Sequence, residues 1–281
     1  MEITDLCNRY NIYLESGITT NGYLINEEMI PFFCNTNMQS FLITLDSSKD
    51  MHNKVRFQRN ASNSYQKIVD NIILLAEKLE PKDLNLRINF TKESFNSITN
   101  IINSFYPKIR KKIKVSLVQI IQDQRKNKIP IHEIETTRLE FEKAGFMSAR
   151  EILKTKGYRC HADLYNQVII NYDGRVFKCP AQNFEKEKED GILTKKGNII
   201  WHENLLSRKM CRAGFDNDTC MNCKYLPVCF GLCSQKLSNV NVPEDINKYF
   251  SYCNDIENYV NMAMDEFKKT DLGLAHISKY K

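Results

Sequence analysis

The stretch SFLITLD at residues 40–46 is a short run of apolar and β-branched residues closed by Asp46, Ser47 and Ser48, and it reads as a buried β-strand. Downstream, Ser62 or Ser64 stands where a helix would be capped, and Tyr65, Ile68, Val69, Ile72, Leu75, Ala76 and Leu79 then recur at helical spacing. A strand followed by an amphipathic helix must pack one on the other. The unit repeats: Leu84 to Thr91 (LNLRINFT) reads as a strand, Ser94 to Phe105 as a helix, and Lys114 to Gln122 as a further strand. Upstream, Ser16 to Ile25 reads as a strand and a turn around Thr20, Asn21 and Gly22. Four strands separated by crossover-length segments predict α/β architecture with a parallel sheet. Residues Ile131 to Lys156 read as a helix connecting this half to the next.

The whole chain has 281 residues, 42% hydrophobic and 26% charged, enough for one large or two modest domains with a real core. Its net charge is +6, but 34 acidic residues are mixed among 40 basic ones. No single-sign field extends along the sequence, which argues against a nucleic-acid partner. The first thirty residues contain Glu2, Asp5, Arg9 and Glu15 and do not read as a signal peptide. The longest apolar stretch, Ile68 to Leu79, is interrupted by Asp70, Asn71, Glu77 and Lys78, so no membrane span is expected. The expectation is a cytoplasmic protein.

Ten cysteines without an export signal favour metal ligation over disulfides. Only Cys7 and Cys34 precede residue 160, and both read as ordinary semi-buried thiols. This places a boundary near residue 155, giving domains 1–155 and 156–281. In the second, Val168 to Cys179 (VIINYDGRVFKC) is a hairpin signal with its turn at Asp173-Gly174. Phe184 to Gly191 reads as a solvated charged loop, and the remainder as short elements organised by cysteines. The spacing is C-x13-G-x4-C over Cys160, Gly174 and Cys179, then C-x2-C-x5-C-x3-C over Cys220, Cys223, Cys229 and Cys233, then Cys253. Thiolates select either zinc in closed tetrahedral shells or iron–sulfur clusters. Two closed sites need eight ligands and the pattern holds seven, so either Cys211 joins them or one metal keeps an open position.

This pattern resembles the SPASM auxiliary-cluster domain of radical S-adenosylmethionine enzymes that modify peptides and proteins; Tyr225-Leu226-Pro227 and Gly231 are similar to its usual filling residues. The resemblance implies two 4Fe-4S clusters, one on Cys160, Cys179 and Cys233 with an open or unconventional fourth position, the other on Cys220, Cys223, Cys229 and Cys253. The first half resembles the later strands of the family's incomplete (βα) TIM-type barrel. Ile18 to Gly22 is similar to its TNG segment. Thr44-Leu45-Asp46, followed by His52 and Arg56, is similar to a strand whose small hydroxyl residue and an arginine twelve positions later contact S-adenosylmethionine. The resemblance therefore implies cofactor contacts for Thr44 and Arg56. Taken alone, Thr44 is a β-branched strand residue and Arg56 a surface charge.

The 281 residues contain no C-x3-C-x2-C loop, the motif that holds the family's catalytic cluster. Protein side chains cannot cleave S-adenosylmethionine reductively without that cofactor. The sequence thus reads as the C-terminal portion of such an enzyme, inactive alone, with S-adenosylmethionine bound only if the missing part is supplied by a longer gene or a partner subunit. A peptide or protein substrate is expected. Two alternatives stand beside it: a non-catalytic iron–sulfur module that recognises a peptide or partner, and a zinc-stabilised interaction protein. No competing catalytic set is visible, since the five histidines lack metal-ligand spacing and no G-x-S-x-G elbow occurs.

Overall fold

The computed structural model describes residues 2–56, 63–120, 123, 126–148, 162, 164, 166–180, 182, 184–185, 188–202, 218–229, 260–261 and 264. The chain divides into two compact units, Met1–Arg150 and Glu151–Lys281.

The first unit opens with α1 (Glu2–Arg9) and is built on a parallel sheet of β1 (Ser16–Thr20), β2 (Met38–Asp46), β3 (Asp83–Phe90), β4 (Lys114–Gln119) and β5 (Met147–Ser148), hydrogen-bonded in chain order. The connections carry α2 (Ile30–Asn35), α3 (Lys49–Val55), α4 (Ser64–Leu74), a 3-10 helix (Phe95–Ser104), α5 (Pro107–Arg110) and α6 (Ile131–Lys143). When spatial order follows chain order and crossovers share one hand, every connection returns over the same face. Among the described residues, one face of the sheet is therefore covered and the other left open.

Burial follows that asymmetry. Phe41, Ile43 and Leu45 of β2 alternate with half-buried Leu42, Thr44 and Asp46, and Leu84, Leu86, Ile88 and Phe90 of β3 alternate with Asn85, Arg87 and Asn89. The apolar set packs against Tyr65, Ile68, Val69 and Ile72 of α4. Each such side chain, fully buried, contributes about 1.5–3 kcal/mol. The open face carries the polar groups Thr44, Asp46, Asn85, Arg87 and Asn89 beside Leu42 and Val118.

Several sequence expectations are corrected. The cap of α4 is Asn63, whose side chain accepts the Gln66 N–H; Ser64 is instead buried at the first helical position, and Ser62 lies outside the described residues. The helix expected over Ser94 to Phe105 is present as a 3-10 helix, Phe95–Ser104, which buries Phe95, Ile98 and Ile101. The strand expected to reach Gln122 ends at Gln119. The helix expected to reach Lys156 stops at Lys143, where Gly145 adopts φ 99° and reverses the chain into β5, a fifth strand on a sheet expected to have four. Cys34 is exposed, while Cys7 is half-buried.

In the second unit, β6 (Ile169–Ile170), β7 (Arg175–Phe177), β8 (Gly191–Leu193) and β9 (Ile199–Trp201) form an antiparallel meander. The β6–β7 turn has three residues, with only Gly174 at positive φ (84°), because Asn171 and Arg175 still share a backbone hydrogen bond of 2.8 Å. The segment expected as a solvated loop ends in Asp190, which is completely buried: its Oδ2 accepts the Lys178 N–H at 2.8 Å. Lys178, also completely buried, donates through Nζ to the carbonyls of Leu164 and Gln167 at 2.6 and 2.7 Å and lies 5.4 Å from the Trp201 ring. This unit thus has its own apolar and polar core beside its cysteines. Two short helices follow, α7 (Asp218–Met221) and α8 (Leu226–Cys229). Among the described residues, no helix is long and apolar enough to cross a membrane.

Candidate functional site

The site lies where β2 and β3 end, the edge at which parallel α/β sheets present functional groups. After Asp46 the chain turns through Ser47, which holds a left-handed backbone (φ 65°) and is buried with its Oγ donating to the Ser94 carbonyl at 3.1 Å. Such a conformation costs a non-glycine residue about 1–3 kcal/mol. It allows α3 to fold back beneath the strand end.

His52 of α3 makes that return specific. The ring is completely buried, and its Nδ1 accepts the Asp46 N–H at 3.0 Å. An amide nitrogen only donates, so Nδ1 carries no proton, and the neutral ring offers Nε2–H to Ser64 Oγ at 3.2 Å. Ser64 Oγ donates in turn to the Arg56 carbonyl at 3.1 Å. One histidine therefore ties the end of β2, the start of α4 and the end of α3. Burial, which withholds water from the imidazolium, pulls its pKa from 6.5 down to about 4; Asp46 opposes the shift and Arg56 adds to it.

Asp46 and Arg56 meet at the mouth of this arrangement. Asp46 Oδ2 accepts from Arg56 Nε, and Oδ1 accepts from Asn89 Nδ2 at 2.9 Å, Asn89 being its register partner on β3. With the Arg56 side chain 39% exposed, the ion pair stabilises by about 0.2–1 kcal/mol at most. Its importance is orientation: Nε is fixed, while the Nη groups have no protein partner among the described residues. Thr44, on the same face two residues before Asp46, lies half-buried on the open side. A cavity of about 230 Å³ opens here, lined in part by Asp46, Ser47, Met51, Asn89, Thr91 and Ser94.

The neighbouring strand ends in Thr20-Asn21-Gly22. Thr20 Oγ1 accepts the Gly22 N–H at 3.2 Å and Asn21 Oδ1 accepts the Tyr23 N–H at 3.0 Å, so both side chains are spent on the turn. Gly22 has φ 73°, and a Cβ there would stand 2.8 Å from Ile43 Cγ2. Buried Asn71 of α4 closes the turn by donating to the carbonyls of Gly22 and Tyr23 at 2.8 and 3.0 Å.

No protein-family model matches the chain. Among characterised proteins, the "Cysteine-type anaerobic sulfatase-maturating enzyme" of Clostridium novyi (strain NT) is 25% identical over 297 residues, spanning 97% of this chain and 75% of that enzyme. The two are related in sequence. Among solved structures, native anSMEcpe with bound AdoMet and Cp18Cys peptide superposes with a TM-score of 0.58 and 17% identity, covering 94% of this chain and 80% of that one. A hexahistidine-tagged form of anSMEcpe with bound AdoMet gives a TM-score of 0.57 at 17% identity over 100% and 79%. At that identity the superpositions establish a shared fold.

Of the expected cysteine ligands, Cys179 lies two residues beyond β7 and is buried, Cys220 is buried on α7, and Cys223 is exposed one turn later with its N–H on the Cys220 carbonyl at 3.0 Å. Leu226 N–H then bonds the Cys223 carbonyl at 3.0 Å. Soft sulfur donors at C-x2-C spacing fit either iron–sulfur or zinc chemistry. Cys229 lies on α8, and Cys160, Cys211, Cys233 and Cys253 lie outside the described residues. Among the described residues, no three His, Cys, Asp or Glu side chains are grouped as a metal site.

Sequence reasoning singled out Thr44 and Arg56 but missed what holds them. The tie made by His52, the Asn89 contact and the Asn71 clasp depend on strand register and on where α3 and α4 return. The alternation LNLRINF carries one usable signal: Asn85, Arg87 and Asn89 are polar at every second position of an otherwise apolar strand.

Proposed function

We propose that the chain is the C-terminal portion of a radical S-adenosylmethionine enzyme of the SPASM type, acting on a peptide or protein segment. On this reading the one-way-wound parallel sheet is part of a partial barrel within residues 1–155, and residues 156–281 form the auxiliary-cluster domain. The observation that carries the reading is the Arg56–Asp46–Asn89 cluster at the C-terminal edge of the sheet, on residues whose spacing from Thr44 matches the family's cofactor-contacting strand. The relationship to a sulfatase-maturating enzyme supports it. So does the fold shared with a protein whose solved structure holds AdoMet and a peptide.

The residues present fit S-adenosylmethionine. The Nη groups of Arg56, without a protein partner among the described residues, suit a carboxylate or hydroxyl of the cofactor, and Thr44 supplies a half-buried hydroxyl. Asp46 holds the guanidinium at Nε, and His52 holds Asp46 through its backbone. On the same reading the cysteines would hold two 4Fe-4S clusters, Cys160, Cys179 and Cys233 on one, with an open or unconventional fourth position, and Cys220, Cys223, Cys229 and Cys253 on the other. Reductive cleavage of S-adenosylmethionine is the chemistry of a further cluster on a C-x3-C-x2-C loop. That loop does not occur in these 281 residues, so a longer polypeptide or a partner subunit would supply it.

Anaerobic reconstitution with iron and sulfide tests the proposal. The expected result is about eight irons per chain and a brown chromophore. Cys223→Ala should lose about half the iron together with stability of the second unit, because cluster binding and folding are coupled. Uptake of zinc in place of iron, or unchanged iron content in Cys223→Ala, would overturn the assignment. The reconstituted 281-residue chain alone should form no 5′-deoxyadenosine.

A further inference from the structure

On the open face of the first unit's sheet, the register places Thr44 beside Arg87 and Arg87 beside Ser116, a row across β2, β3 and β4. Arg87 is half-buried; its Nε is buried and has no hydrogen-bond partner among the described residues. The carboxylates on these strands are already engaged: Asp46 by Arg56 and Asn89, and Asp83 by Lys114. Ser116 donates to Asn85 Oδ1 at 3.0 Å and accompanies the guanidinium without neutralising it. A buried donor of a charged group without a partner forfeits its hydration and gains nothing in the fold, so it calls for an explanation, which a ligand would supply.

The chemistry of that ligand follows from the donors. A guanidinium edge presents a planar fork that matches two oxygens of one carboxylate. The row carries a single positive charge, since the flanking Lys114 is paired with Asp83. One cation balances a monoanion and leaves a phosphate dianion undercompensated. Arg87 also lies two residues, roughly 7 Å along the strand, from Asn89 at the cavity rim, so a ligand in the cavity reaches it by extending down the open face. We propose that Arg87 anchors a carboxylate of a ligand bound on this face. The inference rests on the guanidinium and not on the cofactor reading, and its test needs neither iron nor S-adenosylmethionine.

The 281-residue chain, Arg87→Met and Arg87→Lys are titrated at constant ionic strength with acetate, the blocked peptide acetyl-Gly-Asp-Gly-amide, and inorganic phosphate. Binding is read from the thermal midpoint and from the arginine Nε–H resonances. Acetate or the peptide should raise the wild-type midpoint saturably and shift one Nε–H resonance. Arg87→Met should bind about tenfold or more weakly, with Arg87→Lys between them. Without ligand, Arg87→Met should melt no lower than wild type, because it removes an unpartnered group and keeps the apolar stem. Tighter binding of the peptide assigns the carboxylate to a peptide chain; equal or tighter binding of acetate assigns it to a small acid. Phosphate binding more tightly than both, an undiminished response in Arg87→Met, or no Nε–H shift in wild type would overturn the proposal. Should Arg87→Met fail to fold, the Arg87→Lys titration and the wild-type resonance decide between the same outcomes.

Discussion

His52 should make the first unit acid-sensitive in a defined window. Its folded pKa of about 4 lies below the ordinary 6.5, so between these values the unfolded chain binds a proton that the folded chain refuses. Stability is then full above about pH 6.5, falls as the pH drops through the window, and stops falling below about pH 4. Between pH 7 and pH 5 the linkage amounts to about 2 kcal/mol. The physical event is loss of an acceptor: protonated Nδ1 cannot take the Asp46 N–H, and the new charge faces Arg56. His52→Asn keeps a side-chain acceptor of similar reach at the Asp46 amide but has nothing to titrate. Urea unfolding at about pH 7 and about pH 5, followed by far-UV circular dichroism, compares the two proteins. Trp201, the only tryptophan, reports the second unit separately by fluorescence. Wild type should lose about 2 kcal/mol more than His52→Asn over this interval. Equal losses would refute the argument, because every other titrating group is common to both proteins.

Two further outcomes follow from single positions. Gly22→Ala should destabilise the first unit by about 2–4 kcal/mol, since it combines a left-handed backbone with a Cβ driven against Ile43; a thermal midpoint within a degree or two of wild type would contradict this. Asp190→Ala should destabilise the second unit by about 1–3 kcal/mol by stranding the buried Lys178 N–H. Trp201 fluorescence should unfold at lower urea, with the first unit's transition unmoved.

The α/β character was legible because SFLITLD, LNLRINF and the stripe from Tyr65 to Leu75 each carry the period of the element they form, and burial of an alternating or helical stripe leaves little choice. Boundaries were less legible. Asn63 rather than Ser64 caps α4, and the helix legible over Ser94 to Phe105 takes the 3-10 form over Phe95–Ser104. Asp190 looked solvated because its neighbours are charged, and only the return of β8 onto β7 encloses it.

The sequence by itself determined the α/β alternation with a parallel sheet and the concentration of eight of the ten thiols in the last 122 positions. Local periodicity and covalent spacing are properties of neighbours along the chain. Only the tertiary structure decided that Asp46 reaches both Arg56 and Asn89, that His52 is neutral and locked by the Asp46 amide, and that Arg87 Nε is buried without a hydrogen-bond partner among the described residues. Those facts depend on strand register and on the return path of α3 and α4, which join residues as many as 43 positions apart through contacts that no local pattern encodes.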